Sequence, residues 1–254
     1  MDRKPKNILI TGASSGLGAA LALAYAEKDV TLFLSGRNEP RLIAVADKAR
    51  RKGAEVYPER INVTDSKGMA AWIHKIEQSY PLDLVIANAG ISAGTGGGDE
   101  TPVQSEAIFA TNVQGVFNTL WPALEGMKKR HSGQLALMAS LAGFRGLAGA
   151  PSYCASKACV RVYGEALRAE MAACGIKVNV ICPGFVETPM TGANGFPMPF
   201  LMQPDEAAQI IKKGLAANKP RLTFPWRLAA LVWILAALPP RIMDPLLARL
   251  PKKA

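Results

Sequence analysis

The sequence has little of what metal and thiol chemistry needs. It carries two histidines, His74 and His131, and four cysteines, Cys154, Cys159, Cys174 and Cys182, in 254 residues. The cysteines form no C-x-x-C pair, so their spacing indicates neither a zinc site nor a disulfide framework. Both histidines lie in polar, helix-like surroundings with no ligand at metal spacing, and no metal is expected. The cysteines read as reduced core residues of a cytoplasmic protein. Residues 1–7 are charged and lead into an apolar strand without the apolar core of a signal peptide. No uninterrupted apolar run approaches the ~20 residues of a bilayer span; residues 228–238 (LAALVWILAAL) make eleven.

Acidic residues are also scarce, and unevenly so. The formal net charge is +10. From Lys219 onward there are seven basic residues (Lys219, Arg221, Arg227, Arg241, Arg249, Lys252, Lys253) against Asp244, so +6 of that charge lies in the last 36 residues. A nucleic-acid binder would spread its charge over a face interleaved with aromatics. Here the bias belongs to one apolar tail, which excludes nucleic acid and points to a membrane surface or a partner.

What is present is a long alternation of apolar strands and helices. With 49% apolar residues, the chain can bury a large core in one α/β domain. Strands are expected near residues 6–11, 30–35, 56–63, 82–87, 135–139 and 178–182. Helices fill the intervals, at 19–28, 39–51, 66–79, 106–130, 153–173 and 205–217. The near-continuous apolar character of the strands predicts a doubly wound parallel sheet with helices on both faces. Residues 1–217 read as the catalytic domain and 218–254 as an apolar, basic extension. Residues 185–203 carry one charge and no periodicity, the mark of a binding loop or lid; 94–98 (GTGGG) is a second loop that could border a site.

The first strand ends in T-G-A-S-S-G-L-G, residues 11–18. A glycine-rich turn between strand and helix lets backbone N–H groups and the positive helix end approach a pyrophosphate. The second strand ends in Ser35-Gly36-Arg37 with no carboxylate. An acidic residue there would hold the ribose hydroxyls of NAD; an arginine favours the 2′-phosphate of NADP. Tyr153 and Lys157 stand four apart on a helix and share a face. An ammonium ~4–5 Å from a phenol, at an effective dielectric of ~20, lowers its pKa by about two to three units, so Tyr153 is expected to be acidified by Lys157.

These motifs, with Asn88-Ala89-Gly90, Asn112, Ser140, Y-C-A-S-K and Pro183-Gly184 in one order, resemble the short-chain dehydrogenase/reductase family over residues 7–217. The resemblance implies a single Rossmann-type domain, usually a homodimer or homotetramer, moving a hydride between a nicotinamide and a carbonyl or secondary alcohol. It makes Tyr153 the general acid/base. Lys157 lowers its pKa and binds the nicotinamide ribose, Ser140 orients the substrate oxygen, and Asn112 holds a relay water. It places Gly12, Ser14, Ser15, Gly16, Leu17 and Gly18 at the pyrophosphate and adenosine side, with Arg37, Asn62 and Val63. Asn88, Ala89 and Gly90 fall beside the ribose, and Pro183, Gly184, Val186 and Thr188 face the nicotinamide. Asn62 stands where the family commonly has Asp, and Ala87 replaces the first Asn of N-N-A-G; Cys154 is not expected to act as a nucleophile.

The expected activity is an NADP(H)-dependent oxidoreductase acting on a bulky apolar or lipid-like small molecule. A catalytically silent nicotinamide-sensing protein on the same fold is the alternative. Beyond the strands, Ile242, Met243, Leu246, Leu247 and Leu250 fall on one helical face. The tail is expected to pack on the substrate cleft or a second subunit, or to lie on the inner face of a membrane.

Overall fold

Short apolar strands and the helices between them wind into one parallel sheet. The computed structural model describes residues 4–92, 99–192, 195 and 197–247; the predicted loop at 94–98 and the tail beyond 247, including Leu250, lie outside them. In chain order the elements are β1 (Asn7–Ile10), α1 (Gly16–Tyr25), β2 (Thr31–Gly36), α2 (Glu39–Arg51), β3 (Glu55–Arg60), α3 (Ser66–Ser79) and β4 (Leu84–Ala87). Then come α4 (Pro102–Phe109), α5 (Gly115–Arg130), β5 (Gly133–Met138), α6 (Pro151–Met171), β6 (Ile176–Pro183) and the single turn α7 (Pro189–Gly192). The chain closes with α8 (Pro204–Ala216), β7 (Arg221–Phe224), α9 (Trp226–Ala237) and α10 (Pro240–Leu247).

The seven strands are ordered β3-β2-β1-β4-β5-β6-β7, and every pairing is parallel. Strand order reverses between β1 and β4, so the crevice beyond their carboxyl ends is the topological switch point where such sheets bind ligands. One face packs α1, α2 and α8 against Ile8, Ile10, Leu32 and Leu34. The other packs α3, α5 and α6 against Leu9, Val85, Leu137 and Val180. With both faces covered, the central strands alternate only between two dry environments, which is why they carry continuous apolar runs.

The structure adds three features. β7, inside the stretch read as extension, pairs with β6 from Val180↔Arg221 to Pro183↔Phe224. The helix expected at 106–130 begins at Pro102, capped by Thr101 in a capping box with Gln104, and is interrupted by a π turn over Ala110–Gln114. The loop 185–203 is tied at its base, where Val186 bridges Met202 and Glu187 N donates to Met202 O at 2.9 Å. Two of the cysteines depart from the core assignment. Cys154 and Cys182 are buried, but Cys159 is exposed and Cys174 half-buried, because they sit on the outer side of α6 and in the turn after it.

The inner side of α9 packs beside the end of β6. Leu228 is buried, and the place where a side chain on Gly184 would stand lies 2.7 Å from its Cδ2. Arg145 Nη1 donates to Leu238 O at 3.1 Å. In α10, Met243 is buried while Ile242 is exposed.

Candidate active site

The carboxyl ends of β1, β2, β4, β5 and β6 open into a cavity of about 670 Å³. Every residue expected at the cofactor lines it: Gly12, Ser14, Ser15, Gly16, Leu17, Gly18, Arg37, Asn62, Val63, Asn88, Ala89, Gly90, Tyr153, Lys157, Pro183, Gly184, Val186 and Thr188. Asn112 and Ser140 stand behind this wall, reaching the cavity through the groups they hold.

The turn after β1 is shaped by backbone contacts. Gly12 has φ +67° and lies so close to Ala89 that a Cβ would come within 2.8 Å of its Cα, a position only glycine fills without strain. Thr11 Oγ1 accepts from Asn88 N (3.0 Å) and Ala89 N (3.1 Å), and Asn88 Nδ2 donates to Thr11 O (2.9 Å). Asn88 thus ties the β4 end to the turn. Ser15, the N-cap of α1, makes no side-chain cap, and the first turn of α1 has no acidic residue. The open N–H groups and positive helix end therefore face the cavity with no internal anion to satisfy them.

At the far end Arg37 and Arg41 both line the cavity, and neither forms an ion pair among the described residues. Arg41 was not among the expected residues; it sits one turn into α2, on the helix that Asn38 caps by accepting from Arg41 N at 3.0 Å. Among the described residues no carboxylate lines the cavity. Asn62 Oδ1 accepts from Thr64 N at 3.2 Å, so its acceptor is already partly used.

Tyr153 and Lys157 lie on the first two turns of α6. Lys157 is buried and donates from Nζ to Met138 O at 2.9 Å. Burial lowers its pKa to about 8. Its Nζ is 5.8 Å from the centre of the Tyr153 ring. Tyr153 is pushed up by burial, and a hydrogen bond that its oxygen accepts from the Ser140 hydroxyl pulls it partly back. Burial of the phenol thus acts against the expected acidification by Lys157, whose Nζ donates to a β5 carbonyl. Ser140 Oγ is held by Ala142 N (3.1 Å) and Pro183 O (3.4 Å).

Asn112, on the π turn, accepts from Ile91 N at 2.8 Å and donates to Ile91 O (2.9 Å) and Ser156 Oγ (3.1 Å). A Cβ on Gly90 would stand 3.2 Å from Asn112 Oδ1 and 3.3 Å from Lys157 Nζ. The missing side chain leaves a small polar niche between them. π turns of this kind recur at functional sites because they aim one side chain out of helical register.

One supporting residue was not legible in the sequence. Ala150, the N-cap of α6, offers no side-chain cap. Glu100 supplies one from outside, its Oε2 accepting from Ser152 N at 3.0 Å while Ser105 and Ser152 hydroxyls meet at 2.7 Å. The start of the helix carrying Tyr153 is thereby pinned to α4. Among the described residues no group of three or more His, Cys, Asp or Glu could hold a metal. His74 makes a surface pair with Glu125.

The donor set fits a dinucleotide: an unopposed helix end, a glycine cradle, two free guanidinium groups and a phenol–ammonium pair along one cavity. Comparison with known proteins agrees. Residues 6–195 match the short chain dehydrogenase family. An uncharacterized oxidoreductase of Myxococcus xanthus is 40% identical over 96% of this chain and 97% of its own. The 3-oxoacyl-[acyl-carrier-protein] reductase of Thermotoga maritima is 31% identical over 81% of this chain and 88% of its own. Among solved structures, a short-chain dehydrogenase from Sphingobium yanoikuyae in complex with NADPH superposes with a TM-score of 0.80 at 25% identity, covering 97% of this chain and 96% of that one. With motif order, parallel sheet and cavity in agreement, the chain belongs to the short-chain dehydrogenase family of NAD(P)-dependent oxidoreductases.

Proposed function

We propose that this enzyme is an NADP(H)-preferring oxidoreductase that interconverts a carbonyl and a secondary alcohol on a bulky apolar or lipid-like substrate. The observation that carries the reading is the single cavity that joins an anion-seeking helix end, Arg37 with Arg41, and the buried Tyr153–Lys157 pair. The nicotinamide, when bound, supplies or accepts the hydride. Gly12 to Gly18 hold the pyrophosphate against α1, and Arg37 and Arg41 hold the 2′-phosphate as paired guanidinium groups. Asn62 and Val63 border the adenine, Asn88 to Gly90 border the ribose, and Pro183, Gly184, Val186 and Thr188 flank the nicotinamide.

In the reducing direction Tyr153 gives its proton to the carbonyl oxygen, which Ser140 Oγ orients. The high pKa of the phenol keeps it protonated and ready to donate at neutral pH. Lys157 is charged below about pH 8 and returns a proton to Tyr153, fed by a water in the niche between Asn112 and Gly90. The uncharged stretch of the loop, residues 188–203, favours an apolar substrate. Titration with NADPH and NADH tests the cofactor preference, with Arg37→Ala expected to weaken NADPH alone; tighter NADH in the wild type contradicts it. A screen of ketones and alcohols that finds turnover only on small, highly polar sugars contradicts the substrate class.

The same reading makes the catalytic unit end with β7 and the extension start at Pro225. It makes the enzyme a homodimer or homotetramer through the α5–α6 face, where Trp121 and Val162 are exposed beside Tyr163. No described helix is long and apolar enough to cross a membrane; the enzyme is proposed to work in the cytoplasm with its tail at a membrane surface.

A further inference from the structure

α9 shows its apolar residues to the outside. Leu228 faces inward, and Ala229 and Val232 pack beside it on the core. On the opposite side lie Trp226 at 72% exposure, Trp233 at 65% and Ile234 at 61%. At helical spacing, 226, 230, 233 and 237 form one stripe with 234 at its edge, and this stripe contains no charge. Its inner side is anchored by Leu228 and by the Arg145 to Leu238 bond, so the helix cannot simply roll to bury the tryptophans.

A recess of about 290 Å³ lies on this side, between Trp226, Trp233 and Phe144, with Arg221 in its wall. Basic residues outnumber acidic ones in this part of the chain, where Asp244 is the one acidic residue after Lys219. Arg227 and Arg241 are exposed, and Arg249, Lys252 and Lys253 follow in sequence. Twelve residues are too few to span a bilayer, but an anchored apolar face with tryptophans and basic flanks matches the interfacial layer of an anionic membrane.

We propose that the outer face of α9 is a docking surface for an anionic lipid bilayer, with Trp226, Trp233 and Ile234 inserted among the acyl chains and Arg227 and Arg241 at the headgroups. The occupant is a bilayer and not a second copy because the flanking charge would be repeated, and repelled, across a symmetric contact. Leu228 abuts Gly184 on the nicotinamide-facing segment, so docking sets the cleft beside the lipid. That consequence rests on the lipid-like substrate proposed above; the docking itself does not.

The test is flotation of the full-length protein with vesicles of phosphatidylglycerol or of phosphatidylcholine, with NADPH binding and solution mass measured on the same preparations. The protein is expected to float with the anionic vesicles, less as salt rises. Trp226→Ala with Trp233→Ala, or Arg227→Glu with Arg241→Glu, are each expected to lower the partition about tenfold or more, with NADPH binding unchanged. Absence from anionic vesicles at low salt overturns the proposal, as does binding that neither double variant weakens. A fall in oligomer mass on removing the tryptophans, without vesicle binding by the wild type, assigns the face to a second copy and overturns it too. Failure of NADPH to bind would strike the functional reading and leave the docking result standing.

Discussion

Lys157 and Trp233 stand on helices flanking the end of the sheet that carries β6. The first is a charged side chain 4% exposed, the second a large apolar side chain 65% exposed. Both invert the usual placement of their residue type, and they do so by different means. Lys157 is held in a dry wall by the carbonyl of Met138, and the cost of its burial appears as a pKa lowered to about 8. Trp233 is left in water because the inner side of α9 already fills the space over Gly184. In the first case the protein opposes solvation to prepare a proton source. In the second it leaves apolar surface for something outside the chain to cover.

Substitutions at the buried pole carry the largest expected effects. Lys157→Met should lower kcat by roughly 10²–10⁴-fold while raising stability at pH 7 by about 2 kcal/mol, the relief of burial less the lost hydrogen bond. The sign follows from linkage. The folded pKa, about 8, lies below the ordinary 10.5, so the penalty is full below pH 8 and fades as pH rises from 8 to 10.5. Thermal melts at pH 7 and pH 10 check this; a loss of stability at pH 7 would mean that the ammonium holds the fold together. In the wild type, kcat/KM for reduction should be flat below pH 8 and fall above it.

Gly18→Val tests the turn on the same side of the comparison. Gly18 lies against the Gly12 carbonyl and the Asn88 amide, so the added volume should cost about 1–3 kcal/mol and abolish NADP(H) binding. Removing Arg37 and Arg41 together should weaken NADPH about tenfold or more and leave NADH within twofold, at charge-assisted bonds of about 1.5–3 kcal/mol. Glu100→Ala should uncap α6 at about 1 kcal/mol and lower kcat, with Glu100→Gln restoring most of it. At the exposed pole, Trp233→Ala should change stability by no more than about 0.5 kcal/mol; a larger loss in urea titration would show that the tryptophan is packed, and the contrast with Lys157 would fail.

The central strands β1, β2, β4, β5 and β6 were legible because strands buried on both faces are written as largely apolar runs. β7 escaped because Arg221-Leu222-Thr223-Phe224 is a four-residue edge strand, with one flank open and no run to announce it. The cavity wall was legible because the motif residues sit at the carboxyl ends of strands, where chain order and spatial order coincide. Arg41, Glu100 and the π turn were not, since each matters through a neighbour distant in sequence or through a local change of helical register. The upward push that burial gives Tyr153 was not legible for a related reason: spacing on a helix gives the distance to a charge, but says nothing of the water removed from the phenol or of the carbonyl that engages Lys157.

The proposed reaction requires Tyr153 to be the proton donor at a cofactor site that binds without its hydroxyl. Single-turnover reduction of an apolar ketone by Tyr153→Phe, with NADPH affinity measured on the same sample, tests this most directly. NADPH affinity within about twofold of wild type and a rate lower by roughly 10²–10⁴-fold is the predicted result. A rate near wild type, with the cofactor bound, would contradict it.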